Sequence, residues 1–268
     1  MKVIKIVLEA LTCSFRYPHF HVGNQPTYRM PPPATIYGHI CGACGRWIDK
    51  SQISFSYNFY FSDIGRDYEH IYQFSPGSGK LLKKWGNIEN IHGNLVPVWR
   101  DFIFSPKLDL YISSPDKLFE LYECFRSPEY PVILGRSQDL ASYRKVEVIE
   151  LEIANSGYLE NTLLPWDFRL RTKLGNSVIM PKFIDPYNRN DVVWAPYILL
   201  QNRLFLLAEK EYSLEEQTVN KIKIEERDLP LWVDPDTPEI GGKKRIVLWH
   251  TFLEEIYESG NQIRENTG

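Results

Sequence analysis

The chain has 268 residues, of which 43% are hydrophobic, 24% charged and 14% aromatic, a composition that suits a folded chain of one large or two small domains with a sizeable core. Its formal net charge of −3 gives no general attraction for nucleic acid, yet residues 1–110 hold 12 Lys and Arg against 8 Asp and Glu, a net of +4, while residues 111–268 hold 19 against 26, a net of −7; positive potential, if used, lies in the N-terminal half. No apolar run approaches the roughly 20 residues needed to span a bilayer, and the N-terminal MKVIKIVLEALTC is broken by Lys5 and Glu9, so no membrane is expected and the chain is read as cytoplasmic.

Residues 3–11 alternate as a first strand. In PTYRMPPPATIYGHICGACG, residues 26–45, three prolines hold the backbone extended and Pro33 suits the first turn of a helix, where a missing N–H costs nothing. A helix is therefore expected from Ala34 to Ile48. Gly38, Gly42 and Gly45 fall at i, i+4 and i+7 on one of its faces, each costing about 1 kcal/mol relative to Ala; a close approach to the sheet or a neighbouring backbone is the expected compensation. ISFSYNFYFSD is a strand with Ile53, Phe55, Tyr57, Phe59 and Phe61 on a core face and Ser54, Ser56, Asn58, Tyr60 and Ser62 on the other. A polar, glycine-rich stretch follows from Asp63 to Arg100, within which the insertion Arg66 to Arg100 is expected to be mobile. Strand character resumes in DFIFSPKLDLYI, with Pro106 at an edge or bulge. A helix follows from Asp116 to Phe125, capped by Ser114 or Asp116, and PVILGRSQDLASYRKVEVIELEI closes as a strand interrupted at Gly135.

This order predicts an α+β fold: a ferredoxin-like (RRM-like) βαββαβ unit over residues 1–154, with an insertion between its second and third strands and both helices on one sheet face. Residues 155–268 form a smaller C-terminal unit, β-rich in its apolar bursts at Val192–Leu200 and Leu204–Ala208. Glu209 to Asp228 is charge-rich and reads as a solvated face or arm. Beyond the proline-punctuated Leu229–Pro238, HTFLEEIYESG reads as a final helix.

Three basic groups share the N-terminal unit. Lys80, Lys83, Lys84 and Trp85 lie in the insertion with His92 and Arg100 beyond them; Arg16, Tyr28 and Arg29 flank the proline run; and Gly135-Arg136-Ser137-Gln138 follows an apolar strand. Cations interleaved with aromatics suit single-stranded nucleic acid, where charges track phosphates and rings stack on bases, although lysine pairs alone are commonly solvated surface. The turn offers backbone N–H groups and side-chain donors to an anion, or is an ordinary polar turn. Cys41 and Cys44 form a CxxC, but a zinc site wants a second ligand pair, so these cysteines read as small packing residues. His19 and His21 read as loop histidines. No metal and no cofactor are expected. A metal-free ribonuclease needs only a general base and a cation near the scissile phosphate, roles open to Tyr37, His92 and Lys84.

SFRYPHFHVGNQPTYRMPPPATIYGHICGACG resembles the N-terminal signature of the CRISPR-associated Cas-five family (RAMP superfamily), in which an Arg-x-Pro after the first strand precedes a Pro-Pro-Pro-x-Thr-x-x-Gly helix start. PVILGRSQDLA resembles that family's second signature, a Leu-Gly-Arg-Ser turn before the last strand. The resemblance covers residues 1 to about 154. It implies a non-catalytic subunit of Cascade, the type I CRISPR surveillance complex, most like its type I-B branch, which caps the 5′ handle of the guide RNA in antiviral defence. The insertion would be a β-hairpin thumb, about Arg66 to Arg100, reaching the adjacent backbone subunit. The large subunit is a further partner, and target DNA is met through the complex. Handle-binding surfaces would fall on Arg16, Tyr28, Arg29 and Met30, on Lys80, Lys83, Lys84, Trp85 and Arg100, and on Arg136, Ser137 and Gln138. In the type I-C branch the corresponding subunit cleaves precursor guide RNA with a tyrosine on the first helix and an adjacent Lys-His pair; Tyr37 is present here, but Lys84 and His92 are separated, so an endoribonuclease is the alternative.

Overall fold

The computed structural model describes residues 1–20, 23–76, 91–209, 211–212 and 219–253, and for 73–76 and 91–93 the backbone alone. Among the described residues it is mostly β with two α-helices, an α+β arrangement. The N-terminal part runs β1 (Lys2–Ala10), β2 (Thr12–Cys13), β3 (Asn24–Gln25), α1 (Pro33–Cys44), β4 (Ser54–Tyr60), β5 (Asp63–Pro76), β6 (Ile91–Phe104), β7 (Lys107–Ser113), α2 (Leu118–Arg126) and β8 (Ala141–Glu150). Strands β4, β7, β1 and β8 hydrogen-bond in that order, every pair antiparallel. Period-two alternation turns Ile4, Ile6 and Leu8 of β1, Phe55, Tyr57 and Phe59 of β4, and Leu108, Leu110 and Ile112 of β7 onto one face, where they share a core with Ile36 and Ile40 of α1 and Leu121 and Phe125 of α2.

The proline run starts α1 as expected, with Pro33 in its first turn. The helix ends at Cys44, short of Ile48, because Gly45 adopts φ +67° and terminates it in a left-handed cap. The expected close approach is absent at the other two glycines: a Cβ on Gly38 or Gly42 would meet nothing within 4 Å. The buried stripe of α1 is Ile36, Tyr37, Ile40, Cys41 and Ala43, and the glycines face outward. α2 starts two residues later than expected, with Ser114 Oγ accepting the Lys117 N–H at 3.3 Å just ahead of it.

The insertion is regular where described. β5 and β6 pair antiparallel from Asp63↔Phe104 to Pro76↔Ile91, so strand structure begins well before Asp101. Ser105, at φ +52°, and Pro106 separate β6 from β7.

The C-terminal part adds β9 (Glu152–Ala154), β10 (Gly157–Leu159), β11 (Thr162–Pro165), β12 (Asn176–Ile184), β13 (Val192–Leu200), β14 (Leu204–Leu207), β15 (Lys221–Lys223), β16 (Leu231–Asp234), β17 (Arg245–Ile246) and β18 (His250–Thr251). One sheet has the order β15-β14-β10-β17-β16-β9 and another β11-β13-β12. Two expectations change here. The charge-rich stretch contains β15, paired parallel to β14, although residues 210 and 213–218 lie outside the described residues. The expected final helix begins instead as β18, which extends the first sheet at the edge of β4 with His250 opposite Phe55. Phe252, fully buried, wedges between the Tyr37 and Phe55 rings at centroid distances of 5.1 and 4.5 Å, and burial of that ring favours the strand path. Residues 254–268 lie outside the described residues.

The face of the first sheet away from the helices is also interior, which its polar residues did not suggest. Lys5 Nζ and Tyr111 Oη both donate to Asp234 Oδ2 at 2.6 Å. Arg245 donates to Tyr111 Oη at 2.7 Å, to Tyr60 Oη at 2.6 Å and to Asp109 Oδ2 at 3.1 Å. Asn58 Nδ2 donates to the Glu160 carbonyl at 2.6 Å. Val3 and Tyr111 pack there with Val247. Charges this buried are tolerated because each meets an opposite charge or a hydroxyl.

Candidate nucleic-acid interface

The two sequence signatures meet in space. Gly135, at φ +99°, lies against the Ser14 backbone, where a Cβ would come within 2.5 Å of the Ser14 carbonyl oxygen; glycine is required both for the turn and for the approach. Thr12 Oγ1 donates to Asp139 Oδ1 at 2.8 Å across the same seam. Within the turn, the Asp139 carboxylate accepts the Arg136 backbone N–H at 3.1 Å and the Arg136 Nε and Nη2 at 2.8 Å each. Burial pushes the Asp139 carboxyl up, but the hydrogen bonds from Arg136 and Thr12 outweigh it and hold the group below its ordinary value.

The same guanidinium reaches the hairpin: Arg136 Nη1 donates to Glu69 Oε1 of β5 at 2.8 Å. Arg100 of β6 places Nε 2.8 Å from Glu69 Oε2, an ion pair without an aligned hydrogen bond. Arg136 and Arg100, both read from sequence as RNA donors, are thus held by carboxylates, with only 12% and 14% of their side chains exposed. Their role here is to fix the turn to the base of the hairpin. Glu69 and Asp139, which no motif marked, complete that clamp. Ser137 and Gln138 stand exposed at its tip.

Around the proline run the chain is extended and its side chains alternate. Tyr28 is buried, its hydroxyl donating to the Ile179 carbonyl at 3.0 Å and its ring stacked on Tyr17 at 3.7 Å; Arg29 is exposed; Met30 is fully buried. Tyr28 and Met30 therefore belong to the core and not to a binding surface, a correction that follows from alternation along the extended segment. Arg16 bridges to Thr27 and is exposed. Beside the two arginines stand Tyr17, half-buried, Phe20, exposed, and His19 stacked on Trp194 at 5.1 Å. These aromatics were within reach of sequence reading only as the YPHF run next to Arg16; Trp194 carries no local signal.

Lys80, Lys83, Lys84 and Trp85 lie outside the described residues, as does the side chain of His92. Tyr37, the candidate catalytic hydroxyl, is 4% exposed and donates to the Ile48 carbonyl at 2.5 Å. Burial raises its pKa, opposite to what a nucleophile or base needs. Among the described residues no helix is long and apolar enough to cross a membrane.

No family model and no curated protein sequence matches the chain. Solved structures similar to it include a subunit of a CRISPR RNA-guided surveillance complex, 11% identical at a TM-score of 0.46 over 73% of this chain and 88% of that one. A CRISPR protein from Archaeoglobus fulgidus is 9% identical at 0.39, covering 76% and 91%. A chain of the Type III-B Cmr-beta complex bound to cognate target RNA and AMPPnP is 11% identical at 0.41, covering 76% and 85%. None of these likenesses assigns a role to a residue here.

Proposed function

We propose that this chain is a Cas-five-like subunit of a type I CRISPR surveillance complex, most like the type I-B branch, that caps the 5′ handle of the guide RNA without cleaving it. The observation that carries this reading is the meeting of the two signatures: the Arg-x-Pro strand and the Leu-Gly-Arg-Ser turn, 121 residues apart at Ser14 and Gly135, pack backbone to side at a position only glycine can fill. On this reading residues 1–154 are a ferredoxin-like, RNA-binding domain, supported by the strand order β4-β7-β1-β8 and by the two helices sharing a core with one sheet face. The β5–β6 hairpin is the thumb that touches the adjacent backbone subunit. The large subunit and target DNA are met within the complex, in the cytoplasm.

On this reading RNA is met away from the sheet face. RRM domains stack bases on an open sheet face, whereas here that face is filled by Asp234, Arg245 and their partners. Contact is left to the surface bearing Arg16, Arg29, Tyr17 and Phe20, to the turn tip at Ser137 and Gln138, and to Lys83 and Lys84 of the thumb. The test is handle RNA binding by anisotropy across a salt series. Arg16→Ala with Arg29→Ala should weaken binding and flatten log K against log salt by up to about two units of slope, one per lost phosphate contact. An unchanged slope removes this surface from the reading.

A further inference from the structure

We infer that Cys44 and Cys124 are a dithiol pair that closes to a disulfide under a neutral peroxide, tying the C-terminal end of α1 to α2. The CxxC of the sequence suggests Cys41 with Cys44, but the fold pairs them otherwise. Cys41 and Cys13 are buried, while Cys44 and Cys124 are both partly exposed. Cys44, the last residue of α1, and Cys124, in the last turns of α2, line one surface cleft together. The two helix ends are already held side by side by the Arg46–Glu120 ion pair and by the Glu129 N–H donating to the Ala43 carbonyl at 3.0 Å. A bond between the sulfurs therefore asks little movement of the backbone, the usual obstacle to a disulfide.

Glu120, Glu123 and Glu129 line the same cleft, which disfavours an anionic oxidant such as oxidised glutathione and favours hydrogen peroxide. One thiolate attacks peroxide, giving a sulfenic acid and, after proton transfer, water. The second thiol then attacks the sulfenic sulfur, forming the S–S bond and releasing a second water; two thiols are oxidised and one peroxide is reduced. Burial, with the adjoining Cys124 thiol, raises the Cys44 pKa, so the reaction should quicken as pH rises.

The test is oxidation of the folded full-length protein with hydrogen peroxide, followed by alkylation under denaturing conditions and peptide mapping. The expected result is a Cys44–Cys124 linked peptide, a loss of two hydrogens from the intact mass, reversal by a thiol reductant, and a higher Tm for the oxidised form. Cys124→Ser should leave Cys44 to over-oxidise without a link, while Cys13→Ser should still give the link. A Cys41–Cys44 linkage, or independent over-oxidation of both thiols in the unsubstituted protein, would overturn the inference. Because the link is read on unsubstituted protein, a variant that fails to fold does not decide it.

Discussion

Replacing Arg136 by alanine should destabilise the protein before it affects RNA. The guanidinium donates twice to Asp139 and once to Glu69, all at 2.8 Å, and the Asp139 side chain has 0% exposure. Truncation leaves that carboxylate buried with only Thr12 Oγ1 and the residue-136 backbone N–H as donors. Loss of one partner from a buried ion pair costs about 3–5 kcal/mol, which for a chain of this length is a fall in Tm of roughly 5–10 °C. The assay is thermal unfolding of the variant beside Arg136→Ala/Asp139→Ala, which removes both charges and should recover a large part of the loss. Handle binding is then compared well below both transitions. A Tm within about 1 °C of the unsubstituted protein, corresponding to less than about 0.5 kcal/mol, would refute the clamp and return Arg136 to the role of a free RNA donor.

The outward glycines of α1 make the opposite prediction: Gly38→Ala and Gly42→Ala should each stabilise the isolated protein by about 0.5–1 kcal/mol in denaturant unfolding, since neither Cβ meets an obstacle. Gly135→Ala should cost about 2 kcal/mol or more, because its φ of +99° and the Ser14 carbonyl both reject a Cβ. His39 donates from Nδ1 to the Ile133 carbonyl at 3.2 Å and accepts the Tyr143 hydroxyl at Nε2, 2.9 Å away, and burial lowers its pKa to about 4. An unfolded imidazole binds its proton near pH 6.5 while the folded one does not, so this contribution is complete above about 6.5 and is lost as pH falls toward about 4. A pH series of unfolding midpoints should show that loss, and His39→Gln should flatten it.

What the sequence exposed was local. Alternation in ISFSYNFYFSD and the proline start of α1 are properties of adjacent residues, and both elements form where expected. The lining of the second sheet face was not legible, because no neighbour in sequence marks Ser56 and Asn58 as buried; Asn58 meets the Glu160 carbonyl from 102 residues away. Arg136 illustrates the same limit at a site. Its type and its glycine pointed to an anion site, but the anions it meets are the protein's own, one three residues on and one 67 residues back. The family resemblance placed Tyr28 and Met30 beside Arg29 on a binding surface, but the extended backbone puts them on the opposite side of the segment. The glycine row was legible as a cost and misleading as to its direction, since a helical wheel shows which residues share a face but not which face the core takes.

The most direct measurement is anisotropy of two labelled RNAs with the isolated protein in chelator: the 5′ handle derived from the cognate repeat, and a permuted handle of the same length and composition. The account predicts tighter binding to the cognate handle by about tenfold or more, equivalent to about 1.4 kcal/mol, with both RNAs recovered intact. Equal affinity for the two would contradict handle recognition, and site-specific cleavage of the cognate RNA, lost in His92→Ala, would contradict the non-catalytic role.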